Sequence, residues 1–313
     1  MSDLKLRKAT RAAYGETLVE LLNEGVDIYA VDADLAGATT SAKLKAADAT
    51  RHVNVGIAEQ NMIGVAAGIS LMGATVFTGS FAVFGTGRVY DQIRNTVCYA
   101  NLNVKIAPTH AGISVGADGG SHQMVEDIAL MRVLPNMRVL VPADYASTKA
   151  ALRIAALTPG PFYVRMGRAE AEPIYPSIEG FALETTHVLR AGDDVSIIAC
   201  GMEVHQALLA AERLAEQGLS AEVIDAFSIK PLDERTILDS VRKTGFAVTA
   251  EEHSVIGGLG EAVAALLAEH PGILRKPLRR IGVQDRFGTS GAFDELFAAY
   301  GLDATAIVSR VLQ

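Results

Sequence analysis

The sequence predicts an α/β protein made of two doubly wound, mainly parallel-sheet domains. Short apolar runs of strand length alternate with helix-length periodic segments along most of the chain. The length, 313 residues, exceeds one average domain and suits two. Between Arg168 and His187 the alternation gives way to Pro173, Pro176, Gly180 and scattered acids, which reads as a connection with room for a short strand pair. The expected boundaries are residues 1–170, a linker at 171–190, and 191–313.

Residues 8–24 place Ala12, Leu18, Leu21 and Leu22 on one side of an amphipathic helix. The apolar run 28–31 is a buried strand, and 53–55 ends another before Gly56 permits a sharp turn. A helix over 58–72 follows, rich in small residues and apolar all round, so it should be buried on every side, in part against another chain. Strands at 75–77, 104–107, 138–141 and 162–165 alternate with helices at 88–99, 126–131 and 146–156. The second unit repeats the scheme, with strands at 195–199, 221–225, 247–250 and 278–281 and helices at 203–217, 233–243, 259–269 and 305–312.

Composition narrows the function. Twenty-eight basic against 36 acidic residues give a net charge of −8, which argues against a general nucleic-acid or anionic-membrane binder. Cys98 and Cys200 lie far apart without metal-ligand spacing and read as buried thiols in a reducing compartment. The first residues are charged and lack an apolar signal core, and the uncharged stretch 60–87 is broken by glycines, so no membrane span is expected and the cytoplasm is the default.

The chemistry is concentrated in a few places. Glu59 opens the 58–72 helix, and no charged residue follows it until Arg88. The helix N-terminus favours its anion by about 0.3–1 kcal/mol. Burial of an unpartnered carboxylate costs several kcal/mol, so this acid needs a partner such as a ring nitrogen. Phe81 and Phe84 stand just beyond the next strand. A long glycine-rich loop, 110–123, carries His110, Asp118 and His122 at a predicted strand end, where open α/β sheets bind ligands and imidazoles suit proton transfer. Gly257-Gly258-Leu259-Gly260 lacks the spacing of a dinucleotide loop, and Asp118-Gly119 lacks the neighbours of a metal motif.

Gly56-Ile57-Ala58-Glu59-Gln60-Asn61-Met62 closely resembles the signature of the pyrimidine-binding domain in transketolases and their thiamine-diphosphate-dependent relatives, and the resemblance covers nearly the whole chain. It implies that Glu59 hydrogen-bonds N1′ of the cofactor's aminopyrimidine and favours its imino tautomer. It also implies that Phe81 and Phe84 stack on that ring, with Asp34 near the cofactor. His110 and His122 would bind sugar hydroxyls and assist proton transfer, with Asp118 on a neighbouring hydroxyl and Arg165 and Arg11 on the substrate phosphate. Two positions depart from the family: Gly87 or Arg88 stands where a third aromatic is common, and Ala38 where a phosphate-binding serine is. The Gly-Asp-Gly…Asn motif that holds the metal is missing, so no metal ligand is assigned to this chain. The resemblance therefore implies the C-terminal subunit of a split transketolase. A separate N-terminal chain would supply the diphosphate and Mg²⁺ (or Ca²⁺) site in an α2β2 assembly acting on sugar phosphates. The alternatives are the β subunit of a 2-oxoacid dehydrogenase, a deoxyxylulose-phosphate-synthase-like enzyme, or a non-catalytic nucleotide-binding or assembly module.

Overall fold

The computed structural model describes residues 7–313. Its first half runs β1 (Lys8–Ala9), α1 (Thr10–Asn23), β2 (Ile28–Asp32), α2 (Ala36–Thr39), α3 (Ala42–Ala47), β3 (His52–Asn54), α4 (Glu59–Ser70), β4 (Thr75–Gly79), α5 (Tyr90–Gln92), β5 (Val104–Ile106), α6 (Asp127–Arg132), β6 (Arg138–Leu140), α7 (Tyr145–Leu157), β7 (Phe162–Val164) and β8 (Glu170–Ala171). The second half runs β9 (His187–Arg190), β10 (Val195–Ala199), α8 (Glu203–Ala215), β11 (Ala221–Asp225), β12 (Ser228–Lys230), α9 (Glu234–Thr244), β13 (Ala247–Ser254), α10 (Leu259–Ala268), β14 (Arg279–Val283), α11 (Phe293–Tyr300) and α12 (Ala304–Leu312).

Two α/β units with mainly parallel sheets result, as the alternation predicts. The larger sheet has the order β12-β6-β7-β5-β4-β2-β3 and the smaller β14-β13-β10-β11-β9. Each carries one antiparallel edge, β12 on β6 and β9 on β11. β12 comes from the second half of the chain, yet it extends the sheet of the first, pairing Ser228 with Leu140 and Lys230 with Val139. The core follows suit: Val31, Val76, Val104 and Val139 share one buried cluster with Ile198, Ile224, Ile237 and Leu259. The connection is tied down as well. Asp144 caps α7 through Ser147, and its second oxygen accepts the backbone N–H groups of Ile174 and Tyr175 at 2.8 and 2.9 Å.

Three local features depart from the sequence reading. The helix expected over 88–99 starts as α5 and widens into π-helical turns over Ile93–Cys98, and a second π-helical stretch covers Val83–Gly87. α11 lies in a segment with no predicted element. The Glu59 helix is buried on one side only. Met62, Ile63, Ala66 and Ala67 face inward, while Gln60, Asn61, Gly64 and Gly68 are exposed because no element of this chain covers them.

Candidate active site

The C-terminal ends of the parallel strands converge, and most of the expected residues hang from them. Asp34 follows β2, Glu59 follows β3, Phe81 and Phe84 follow β4, and His110 follows β5. Asn54 at the end of β3 ties two of these loops together, its Oδ1 accepting the N–H groups of Asp34 (3.2 Å) and Gly56 (2.9 Å). Asp34 adopts a left-handed backbone at φ 64° and is exposed.

Glu59 is only 4% exposed, although it lines a cleft of about 390 Å³ with Ile57, Ala58, Gln60, Asn61 and Arg88. Its two oxygens accept hydrogen bonds from one nitrogen, Nη1 of Arg88, at 2.9 and 3.0 Å. The Arg88 guanidinium carbon lies 4.3 Å from the centre of the Phe84 ring, and its side chain is 47% exposed. A planar, nitrogen-bearing cation thus lies over an aromatic face while bonded to a buried carboxylate. The acid answers its desolvation with a half-exposed partner, in a cleft open to solvent. That donor set fits the aminopyrimidine of thiamine diphosphate, a planar ring with a basic nitrogen.

The histidine loop packs on the same rings. His110 stacks on Phe81 with centroids 3.8 Å apart, and its Nδ1 is 2.7 Å from Thr109 Oγ1. His122 meets Phe84 edge-on at 5.6 Å and lies 3.0 Å from Ser121 Oγ. Burial, and then the nearby charges of Arg11, Arg168 and His122, push the His110 pKa down to about 3. His110 is therefore neutral near pH 7 and can donate or accept a hydrogen bond without carrying charge. Asp118 is exposed on the same loop.

The two expected arginines part company. Arg11 donates to the Ala38 carbonyl at 3.0 Å and is half-buried. Burial and the Arg168 charge both hold its pKa below the usual arginine value. Arg165, by contrast, is turned inward. Its Nε and Nη2 bond both oxygens of Asp127 at 2.7 and 3.2 Å, and Nη2 also reaches the Glu252 carbonyl at 2.9 Å. With 6% exposure and a committed fork, Arg165 is a scaffold residue in this chain and the expectation of a phosphate ligand is corrected. The arginine that does face the site is Arg168, three residues on, which donates to the Val115 carbonyl at 2.6 Å and sits close enough to bear on both Arg11 and His110. Among the described residues neither Arg11 nor Arg168 has a carboxylate partner. Its position just past a strand end was the available signal. In the sequence Arg88 stands where the family commonly has an aromatic, and nothing local signals its pairing with Glu59.

Among the described residues, no group of three or more His, Cys, Asp or Glu is arranged to hold a metal ion, and no helix is long and apolar enough to cross a membrane.

Fold and site together define a two-unit α/β protein whose first unit presents an acid-and-aromatic cleft suited to a pyrimidine. Comparison with known proteins agrees. The transketolase pyrimidine-binding domain family matches residues 7–173, and the transketolase C-terminal domain family matches residues 184–307. A putative transketolase C-terminal section from Methanocaldococcus jannaschii is 49% identical over 308 residues, covering 98% of this chain and 96% of that one. Human transketolase is 38% identical over 307 residues, but this chain spans only 48% of its length. A solved structure described as a split gene transketolase, inactive beta4 tetramer, superposes with a TM-score of 0.88 at 46% identity and 98% coverage of both chains. The chain belongs to the transketolase family and corresponds to the C-terminal section of its split members.

Proposed function

We propose that this chain is the C-terminal subunit of a cytoplasmic thiamine-diphosphate-dependent transketolase. Together with a separate chain that holds the diphosphate and its Mg²⁺ (or Ca²⁺), it transfers a two-carbon ketol unit from a ketose phosphate to an aldose phosphate. The observation that carries this reading is Glu59, a buried carboxylate opening onto a cleft and bonded to Arg88, which lies over the Phe84 ring. The match of this chain to about half of human transketolase supports the division of labour between two chains.

Glu59 would hold the pyrimidine nitrogen in place of Arg88, whose exposed side chain can swing outward. Phe81, Phe84 and Asp34 would flank the ring. Thiamine diphosphate, when bound, supplies the electron sink that side chains lack. Neutral His110 can hydrogen-bond a sugar oxygen, and His122 can take or return a proton at a substrate hydroxyl. Asp118 would accept from a neighbouring hydroxyl. Arg11 and Arg168, two cations without carboxylate partners among the described residues, suit the substrate's phosphate.

The test is reconstitution. Purified with its partner chain, thiamine diphosphate and Mg²⁺, the complex should convert ketose and aldose phosphates, and the chain alone should show negligible turnover. Full turnover by the chain alone would overturn the two-chain reading. Turnover of pyruvate or branched 2-oxoacids instead would move the assignment to a 2-oxoacid dehydrogenase subunit.

A further inference from the structure

The loop over 110–123 is poorly equipped to hold its own shape. It contains Gly112, Gly116, Gly119 and Gly120, and the first three have positive φ. Glycine gives such a segment freedom that something else must remove. Several of the groups that remove it belong to the second half of the chain.

Glu252, on β13, is 2% exposed and reaches across to the loop. Its Oε1 accepts the backbone N–H of Ser114. The carboxylate fills the space where a Cβ at Gly112 would sit, so this glycine is needed for the approach as well as for its φ of 81°. Glu252 is itself held from behind, because its carbonyl accepts from Arg165, which is locked to Asp127. A second grip lies further along the loop. Gln123 Nε2 donates to the carbonyls of Ile113, Gly116 and Thr289, at 3.2, 3.3 and 2.9 Å. Gly119 and Gly120 lie close against Ser290 and Gly288. Among the described residues, the loop backbone's other long-range partners are the Met166 carbonyl and Arg168, which donates to the Val115 carbonyl, both in the first half of the chain; Glu252 is the side chain that reaches a loop N–H from the second half.

We propose that Glu252 is a positioning residue that fixes the loop bearing His110 and His122 from the second α/β unit, so that this unit sets the geometry of substrate binding without touching substrate. The inference rests on the reading of that loop as the substrate loop, but its physical core, the control of loop order by Glu252, does not. Burial raises the Glu252 pKa while Arg165 and the Ser114 hydrogen bonds lower it, with the balance above the usual glutamate value.

The experiment compares the full chain and its complex as parent, Glu252→Ala, Glu252→Gln and Gly112→Ala. Hydrogen–deuterium exchange of the chain should quicken at least tenfold across residues 112–123 in Glu252→Ala and Gly112→Ala, with β13 and α10 unchanged. Glu252→Gln, which keeps an acceptor oxygen, should restore most of the protection. In the complex, KM for the ketose should rise about tenfold in Glu252→Ala while the affinity for thiamine diphosphate stays at the parent value. Parent-like exchange of the loop in both Glu252→Ala and Gly112→Ala would overturn the proposal, as would loosening spread evenly through β13 and α10. A loosened loop in a complex with no ketol-transfer activity would instead sink the functional reading and leave the role of Glu252 in ordering the loop standing.

Discussion

Two buried acid–arginine pairs in this chain look alike in sequence and do different work. Asp127 and Glu59 are 0% and 4% exposed, and each meets an arginine at hydrogen-bond distance. Arg165, the partner of Asp127, is almost as buried as its acid and is bonded further to the Met124 and Glu252 carbonyls, while Tyr163 donates to Asp127. Arg88, the partner of Glu59, is half-exposed, leans on one aromatic ring and uses a single nitrogen. The first pair is closed on every side and can serve only the fold. The second is open on one side, so its cation can be exchanged for another. Burial of a charge does not mark a functional site; burial with a replaceable partner does.

The sharpest way to break the comparison is at the open pair. Glu59→Gln should lower ketol transfer by the complex about 10²–10⁴-fold. Its fold should be retained within about 1 kcal/mol, since its ion partner is half-exposed. Turnover kinetics and thermal melting of the same preparation check both halves.

At the closed pair the signs reverse. Arg165→Met leaves Asp127 buried and unpaired and should cost about 3–5 kcal/mol of stability, read by denaturant unfolding. The pH dependence follows from the same pair. Burial pushes the Asp127 carboxyl up, but Arg165 and its hydrogen bonds outweigh burial and hold it below the usual value. A carboxyl depressed in the folded state contributes stability above its unfolded pKa of about 3.9, and that contribution is lost as the pH falls below it. Asp127→Asn should therefore flatten the acid limb of the stability curve below about pH 4; an unchanged limb would contradict the pairing.

A smaller effect is expected at the phosphate side. Arg168→Ala should weaken binding of a phosphorylated ketose by about 1.5–3 kcal/mol, with little change for an unphosphorylated one, measured as KM in the complex. Equal losses for both sugars would remove Arg168 from the site. Arg88→Ala should cost about 1–3 kcal/mol of stability, less than Arg165→Met, because water from the open cleft can reach the Glu59 carboxylate it leaves. If Arg88 instead proves as costly to remove as Arg165, the pairs are not different in kind.

The sequence carried the parts of this picture that depend on local pattern. Strand–helix alternation reveals the two α/β units, and a lone acid at the head of an apolar helix reveals Glu59. It failed where long-range packing decides. Arg165 and Arg168 are three residues apart at the same strand end, and only the fold shows that the first turns inward to Asp127 while the second faces the site. β12 is a three-residue strand that exists because the edge of a distant sheet is there to pair with it. The π-helical turns before and after Arg88 shift the hydrogen-bond ladder without altering the apolar periodicity that a helix reading relies on.

The most direct measurement is nitrogen-15 NMR of thiamine diphosphate labelled at N1′ and bound to the complex. The account predicts a hydrogen-bonded N1′ resonance in the parent that moves toward the free-cofactor position in Glu59→Gln. An N1′ resonance identical in parent and variant would mean that Glu59 does not hold the ring.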